Sequence, residues 1–97
     1  MNQTQDQRIA QRFPSVCSVE FDQGTGLTSD MSTSGVYFTT QTAIQTGQSL
    51  RFCIMLKKVG TLVSRLRCEG LVVRTDNLTQ QLGVAVQFSD FAFEYIG

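Results

Sequence analysis

The amino-acid sequence predicts an all-β domain, a six-stranded antiparallel barrel, and three observations support that prediction. Apolar and polar residues alternate with a period of two in several short segments, as they do in half-buried strands. Turn-forming residues separate these segments about every ten residues, the spacing typical of barrels and sandwiches. None of the connections is long enough for the helical crossover that a parallel sheet requires.

Six strands are predicted from this pattern. They cover residues 15–21, 27–30, 36–40, 50–57, 62–75 and 82–88, with turns predicted at residues 23–26, 57–60 and 76–77. In the fifth strand, Leu66 and Cys68 are predicted to face the core, whereas Arg67 and Glu69 face solvent. Gly70 lies near the middle of that strand, where a glycine indicates a bulge or a bend of the barrel.

The two ends of the chain are predicted to lie outside the barrel. With 97 residues the chain is one domain, with the barrel at residues 13–88. Residues 1–7 are almost wholly polar, and residues 1–12 are predicted to form a flexible arm. Residues 89–97 are predicted to be a tail or the start of a short helix, capped by Ser89 or Asp90, with Phe91 and Tyr95 one turn apart.

Composition excludes several classes of partner. Eight basic and eight acidic residues give a formal charge of zero, so no broad field favours a nucleic acid or an anionic membrane. No apolar run approaches the about 18 residues of a membrane span, and the polar start MNQTQDQ differs from a signal peptide. The expectation is a cytoplasmic domain that neither binds nucleic acid nor inserts into a membrane.

The titratable residues give no indication of an enzyme or a metal site. The chain has no histidine, the commonest acid-base group, and no serine or cysteine has an evident activating base. Cys17, Cys53 and Cys68 fit no short paired-ligand spacing and are predicted to be reduced, small apolar residues of the core or sheet. We therefore expect a protein that is not an enzyme and holds neither a metal nor a cofactor.

Two polar segments point to an anionic ligand. Residues 30–35, with the sequence D-M-S-T-S-G, form a predicted loop whose Asp and Ser side chains can bond nearby backbone groups and still offer oxygens outward. Gly35 permits either a positive φ or a close backbone approach. Upstream, Arg8 and Arg12 lie four residues apart with no acidic residue between them. An anion would be bound by this local cluster, since the net charge is zero.

The spacing of these residues resembles the two-part signature of the PilZ domain. Arg8 and Arg12 stand in an R-x-x-x-R frame, and Asp30, Ser32 and Gly35 stand in a D-x-S-x-x-G frame. The resemblance implies a six-stranded PilZ-type barrel that binds the second messenger cyclic di-GMP. It assigns the arginines to phosphate and guanine contacts, Asp30 to the N1–H and amine of guanine, Ser32 to phosphate or guanine, and Gly35 to a close backbone approach.

Two functions remain open at this stage. The first is a cyclic di-GMP receptor whose arm changes conformation on binding and signals to a downstream protein partner. The second is a ligand-independent adaptor of the same fold that only binds another protein. Either motif alone would be ordinary, since arginines in a tail are often solvated and Ser-rich turns are common.

Arg65, Arg67 and Arg74 alternate with apolar residues and are predicted to be the solvated face of a strand.

Overall fold

The computed structural model describes residues 16–96, and every regular element in this range is a β-strand. The strands are β1 (Ser18–Phe21), β2 (Gly24–Met31), β3 (Gly35–Thr40), β4 (Ser49–Val59), β5 (Leu62–Leu78) and β6 (Gln81–Ile96). All neighbouring strands are antiparallel. They close into a barrel in the order β1, β2, β3, β6, β5, β4, which confirms the predicted fold class.

The barrel closes where β1 pairs with β4, with Val19 opposite Ile54. Both residues are fully buried, as are Phe38, Val72 and Val84 from three other strands. Closure pairs strands on both sides and leaves the inward side chains to form one core.

Aromatic rings connect the two sides of this core. The ring of Phe38 lies 6.0 Å from that of Phe21 and 6.1 Å from that of Phe52, measured between centroids. Leu66 and Cys68 are buried, whereas Arg67 and Glu69 are exposed, as the alternation of β5 predicts. The pairing of β5 with β6 shifts register between Glu69 and Gly70, which confirms the irregularity predicted there.

Three predicted turns lie inside strands or extend into them. The residues at 24–26 belong to β2, because they pair with β1. The prediction of a turn at residues 76–77 is wrong: β5 continues to Leu78, and the chain turns where Gln80 adopts a positive φ of 66°. Asp76 stays in the strand, where its carboxylate accepts a hydrogen bond from Tyr37 on β3. After β4 the chain turns at Gly60, which has a φ of +62°.

The prediction of a helix at residues 89–97 is also wrong for the residues that the structure describes. β6 runs on to Ile96 and pairs with β5 as far as Val63. Ser89, predicted as a helix cap, instead donates its hydroxyl to the carbonyl of Glu69 at 3.1 Å. A helix of two turns satisfies few of its own backbone groups, whereas an existing strand offers a partner for each residue that pairs with it.

No helix in the described part of the chain is long and apolar enough to cross a membrane. Cys17 and Cys68 are buried, and Cys53 is half-buried. Burial, followed by the charge of Cys53, raises the pKa of Cys68 to about 12.

Candidate ligand-binding groove beside the β2–β3 turn

The turn between β2 and β3 is held by its own serine side chains. The backbone N–H of Ser32 donates to the carbonyl of Gly35 at 2.9 Å, which closes the turn. The N–H of Ser34 donates to the hydroxyl of Ser32 at 3.3 Å, and the two serine hydroxyls lie 3.1 Å apart. Because these bonds are local and both serines are exposed, the turn keeps its shape while its hydroxyls face solvent.

The same turn is fixed to β6. The carbonyl of Ser34 accepts a hydrogen bond from the N–H of Phe88 at 2.9 Å. Gly35 pairs with Gln87 and lies so close to β6 that a Cβ atom at this position would collide with the carbonyl oxygen of Val86. Gly35 thus permits a close backbone approach and not a positive φ, since it is not among the described glycines with a positive φ.

Four strands place one residue each in a row that starts at Asp30. Asp30 on β2 pairs with Tyr37 on β3, Tyr37 pairs with Ala85 on β6, and Ala85 pairs with Arg74 on β5. Residues directly opposite each other in an antiparallel sheet point to the same face. The three larger side chains therefore stand on one face of the barrel wall, with the small side chain of Ala85 between Tyr37 and Arg74.

This row borders a groove of about 410 Å³, which we call the motif groove. Its lining combines the β2–β3 turn with the row, and includes Asp30, Ser32, Ser34, Gly35, Tyr37, Arg74 and Ala85. The volume is within the range of about 300–1,000 Å³ that is usual for small-molecule sites. The groove offers a carboxylate, hydroxyls and a guanidinium to a ligand with both hydrogen-bond donors and acceptors.

Tyr37, Arg74 and Asp76 form a contacting set at the β5 side of this groove, which we call the Tyr37 clasp. The hydroxyl of Tyr37 donates to Oδ2 of Asp76 at 2.9 Å, and Nε of Arg74 donates to the same oxygen at 3.3 Å. The guanidinium carbon of Arg74 lies 5.5 Å from the centre of the Tyr37 ring. The hydrogen bond to Asp76 raises the pKa of Tyr37, and desolvation adds to the rise.

A glycine makes this clasp possible. The Tyr37 phenol passes over Gly83 on β6 so closely that a Cβ atom there would collide with the phenol oxygen. Gly83 thus leaves a gap through which a side chain on β3 reaches a carboxylate on β5, two strands away.

The structure brings Asp30, Ser32 and Gly35 of the predicted site together at the motif groove. Arg8 and Arg12 lie outside the described residues. The sequence pattern missed the participation of Tyr37 and of Arg74, which was grouped with the solvated arginines of its strand. Arg74 is indeed exposed, but it also lines the groove. The small residues Gly83 and Ala85 indicate space on one face of β6, yet which side chains fill that space depends on a register that the sequence does not reveal.

Within the described range, no group of three or more Cys, Asp or Glu side chains is arranged to hold a metal ion. The fold and the groove together describe a small all-β barrel with a polar groove on its wall. A model of the PilZ domain matches residues 2–94, almost the whole sequence, and the chain therefore belongs to the PilZ domain family. PilZ domains are binding and adaptor domains rather than enzymes.

Comparison with known proteins supports the fold. The structure of the Bacillus subtilis inhibitor of motility, MotI/DgrA, is similar to this one with a TM-score of 0.69 and 22% sequence identity. The similarity covers 84% of this chain and 42% of the other, so the chain spans less than half the length of that protein. No curated protein matches the sequence closely enough to count as a relative.

Proposed function

We propose that this protein is a receptor for cyclic di-GMP, bound by Arg8, Arg12, Asp30, Ser32 and Gly35. One observation carries the proposal: the fold gathers Asp30, Ser32 and Gly35 around one groove in a domain whose family generally consists of cyclic di-GMP receptors. Signalling through this messenger also implies a cytoplasmic location, which is part of the proposal.

The chemistry of the groove suits one half of this ligand. Asp30 can accept from the N1–H and the exocyclic amine of guanine, and the serine hydroxyls can bond phosphate or base. Gly35 lets the turn lie close against β6, where a Cβ atom would collide with the carbonyl oxygen of Val86, and so fixes the turn beside the groove. The two phosphates need cations, and the charge of Arg74, the guanidinium among the described residues that line the groove, is already balanced by Asp76. Arg8 and Arg12 are assigned to this role, because a guanidinium binds phosphate or the O6 and N7 edge of guanine through two hydrogen bonds.

Binding is proposed to act as an order–disorder switch. The arm at residues 1–12 would close over the ligand and present a new surface to a downstream protein partner. The free energy for ordering the arm would come from charged hydrogen bonds, each worth about 1.5–3 kcal/mol.

A second candidate function is a ligand-independent adaptor, and a surface of the molecule favours it. Phe91, Phe93 and Tyr95 are exposed along β6, with 61% of Phe93 accessible to solvent. Exposed aromatic residues that recur along one strand are typical of protein interaction sites. The two functions are distinguished by whether cyclic di-GMP binds the isolated protein.

Calorimetric titration of the purified protein with cyclic di-GMP tests the proposal. We expect binding by the wild type and none measurable for Asp30→Ala or Arg12→Ala, while each melting temperature stays near the wild-type value. Cyclic di-AMP should bind on the order of a hundredfold more weakly, since each of its two base edges presents mismatched groups, at about 1–3 kcal/mol each.

Three results would contradict the proposal or part of it. A wild type that ignores cyclic di-GMP would leave the adaptor as the better function. A large drop in the melting temperature of Arg12→Ala would identify that residue as structural. Affinities for the two cyclic dinucleotides within a few-fold of each other would show that the site binds phosphate and shape rather than guanine.

A further inference from the structure

Arg74 is held more firmly than an exposed arginine usually is. Its Nε donates to Asp76, and its guanidinium lies over the ring of Tyr37. Tyr37 is in turn bound to the same carboxylate at 2.9 Å. An isolated surface ion pair fixes a long side chain poorly. Three mutual contacts from two strands restrict the guanidinium to one side of the motif groove.

The position of Arg74 is opposite the turn that carries the predicted motif. Asp30 begins the row of paired residues and Arg74 ends it, with Tyr37 and Ala85 between them. Arg74 leans back over this row, since its guanidinium carbon lies near the Tyr37 ring. A ligand in the groove would thus meet Asp30 and the serines on one side and Arg74 on the other.

We infer that Arg74 is a further ligand-contacting residue of this groove, on whose guanidinium plane a guanine base of cyclic di-GMP stacks. The inference rests on the proposed function. The guanidinium carbon lies over the Tyr37 ring, 5.5 Å from its centre, while 63% of the side chain remains accessible to solvent. A planar cation with an accessible face is a good stacking surface for a purine.

Stacking fits Arg74 better than binding of a phosphate. Asp76 already pairs with Arg74, so the clasp carries no net charge and attracts an anion weakly. The planar face remains available whether or not Nε is paired. Tyr37 and Asp76 are then positioning residues, which orient the plane without themselves touching the base.

The chain offers a matched control for Arg74. Arg67 lies on the same strand, is also 63% exposed, and is also paired with a carboxylate, that of Glu94 at 3.3 Å, but does not line the motif groove. We would titrate the wild type, Arg74→Ala, Arg74→Lys, Arg67→Ala and Asp30→Ala with cyclic di-GMP and record each melting temperature.

We expect Arg74→Ala to bind at least about tenfold more weakly than the wild type, the effect of losing one stacked base. Arg74→Lys should be weakened to a similar extent, because lysine keeps the charge but has no plane. Arg67→Ala should bind as the wild type does. Arg74→Ala should unfold at the wild-type temperature, since the side chain is exposed.

Several results would overturn the inference. If Asp30→Ala lost binding while Arg74→Ala and Arg67→Ala both bound normally, the proposed function would stand and the role of Arg74 would fall. Normal binding by Arg74→Lys would show that charge, and not stacking, matters at this position. A wild type that does not bind cyclic di-GMP would overturn the proposed function and this inference together.

Discussion

The paired strands β5 and β6 have two halves, in which similar residues have different roles. In the barrel half, residues 70–78 of β5 pair with residues 81–88 of β6, and β6 also pairs with β3. In the outer half, residues 63–69 pair with residues 90–96, and within the described chain this part of β6 pairs with β5 alone. The outer half carries two arginines of β5 that contact a carboxylate, and the barrel half carries one.

The two halves differ in the number and the length of the hydrogen bonds between an arginine and its carboxylate. In the outer half, both Nε and Nη2 of Arg65 lie 2.9 Å from Glu94, and their side chains are only 31% and 26% exposed. Arg67 contacts the other oxygen of Glu94. In the barrel half, Arg74 makes one longer bond to Asp76. An arginine on a strand is thus structural where its carboxylate is shielded and matched, and available to a ligand where the neighbouring strand carries Gly83 and Ala85.

The largest expected difference between the halves is in core packing. Phe88 in the barrel half packs on the core, with its ring 6.3 Å from that of Phe52, whereas Phe93 in the outer half is exposed. We expect Phe88→Ala to lower the free energy of unfolding by about 2–4 kcal/mol, somewhat less than for a fully buried phenylalanine. Phe93→Ala should change it by less than about 0.5 kcal/mol. Denaturant unfolding of both variants measures this.

Equal losses in the free energy of unfolding for the two phenylalanine variants would contradict the proposed difference in core packing between the halves. A large loss for Phe93→Ala would mean that the outer half is covered in solution by something that the described residues do not include. A small loss for Phe88→Ala would mean that the end of the barrel contributes little to the core.

The second expected difference concerns the ion pairs. Arg65→Ala should lower the free energy of unfolding by about 0.5–1 kcal/mol, the upper range for a surface pair, because its partner is shielded and doubly bound. Arg74→Ala should cost only a few tenths of a kcal/mol. Chemical denaturation at low and at high salt measures both, and the smaller effect should also be the one that salt changes least in absolute size. A greater loss for Arg74→Ala would assign Arg74 to stability rather than to ligand binding.

The two halves also show how far the sequence alone reached. Alternation in β5 predicted that Leu66 and Cys68 face inward, because the period of two is a local property of an extended chain. The same kind of local evidence suggested a helix after Ser89, and there it failed. Pairing with β5 decides the structure of residues 89–96, and a partner 20 or more residues away leaves no mark in the local pattern.

The motif groove likewise has a part that the local sequence predicts and a part that it does not. The bonds within the β2–β3 turn are between near neighbours, and the sequence predicted a structured polar turn with Asp30, Ser32 and Gly35 beside it. Tyr37 and Asp76 are 39 residues apart and meet only because β6 carries glycine between them. A side chain that joins a site across strands is found from the register, which the structure supplies.

The smallest expected effect at neutral pH comes from two raised pKa values, that of Cys68 in the outer half and that of Tyr37 in the Tyr37 clasp. Their effect on stability grows as the pH rises, and it begins at a lower pH for Cys68 than for Tyr37. Burial of Cys68 holds its pKa at about 12, against an ordinary value of 9.0. Between these values the unfolded chain releases a proton that the folded chain retains. The unfolded state therefore binds fewer protons, and stability must fall as pH rises from 9 toward 12. Below pH 9 both states keep the thiol protonated, and this contribution is constant. The raised pKa of Tyr37 acts in the same direction, from its ordinary value of 10.0 upward.

We expect Cys68→Ala to be less stable than the wild type at pH 7.5, because it leaves a cavity, yet to lose less stability between pH 9 and pH 10.5. The free energy of unfolding of Tyr37→Phe should change with pH in parallel with that of the wild type up to pH 10 and diverge from it only above pH 10. Urea unfolding at pH 7.5, 9 and 10.5 under reducing conditions tests both variants, and parallel curves for the wild type and Cys68→Ala would show that the Cys68 thiol ionises in the folded protein as readily as in the unfolded chain.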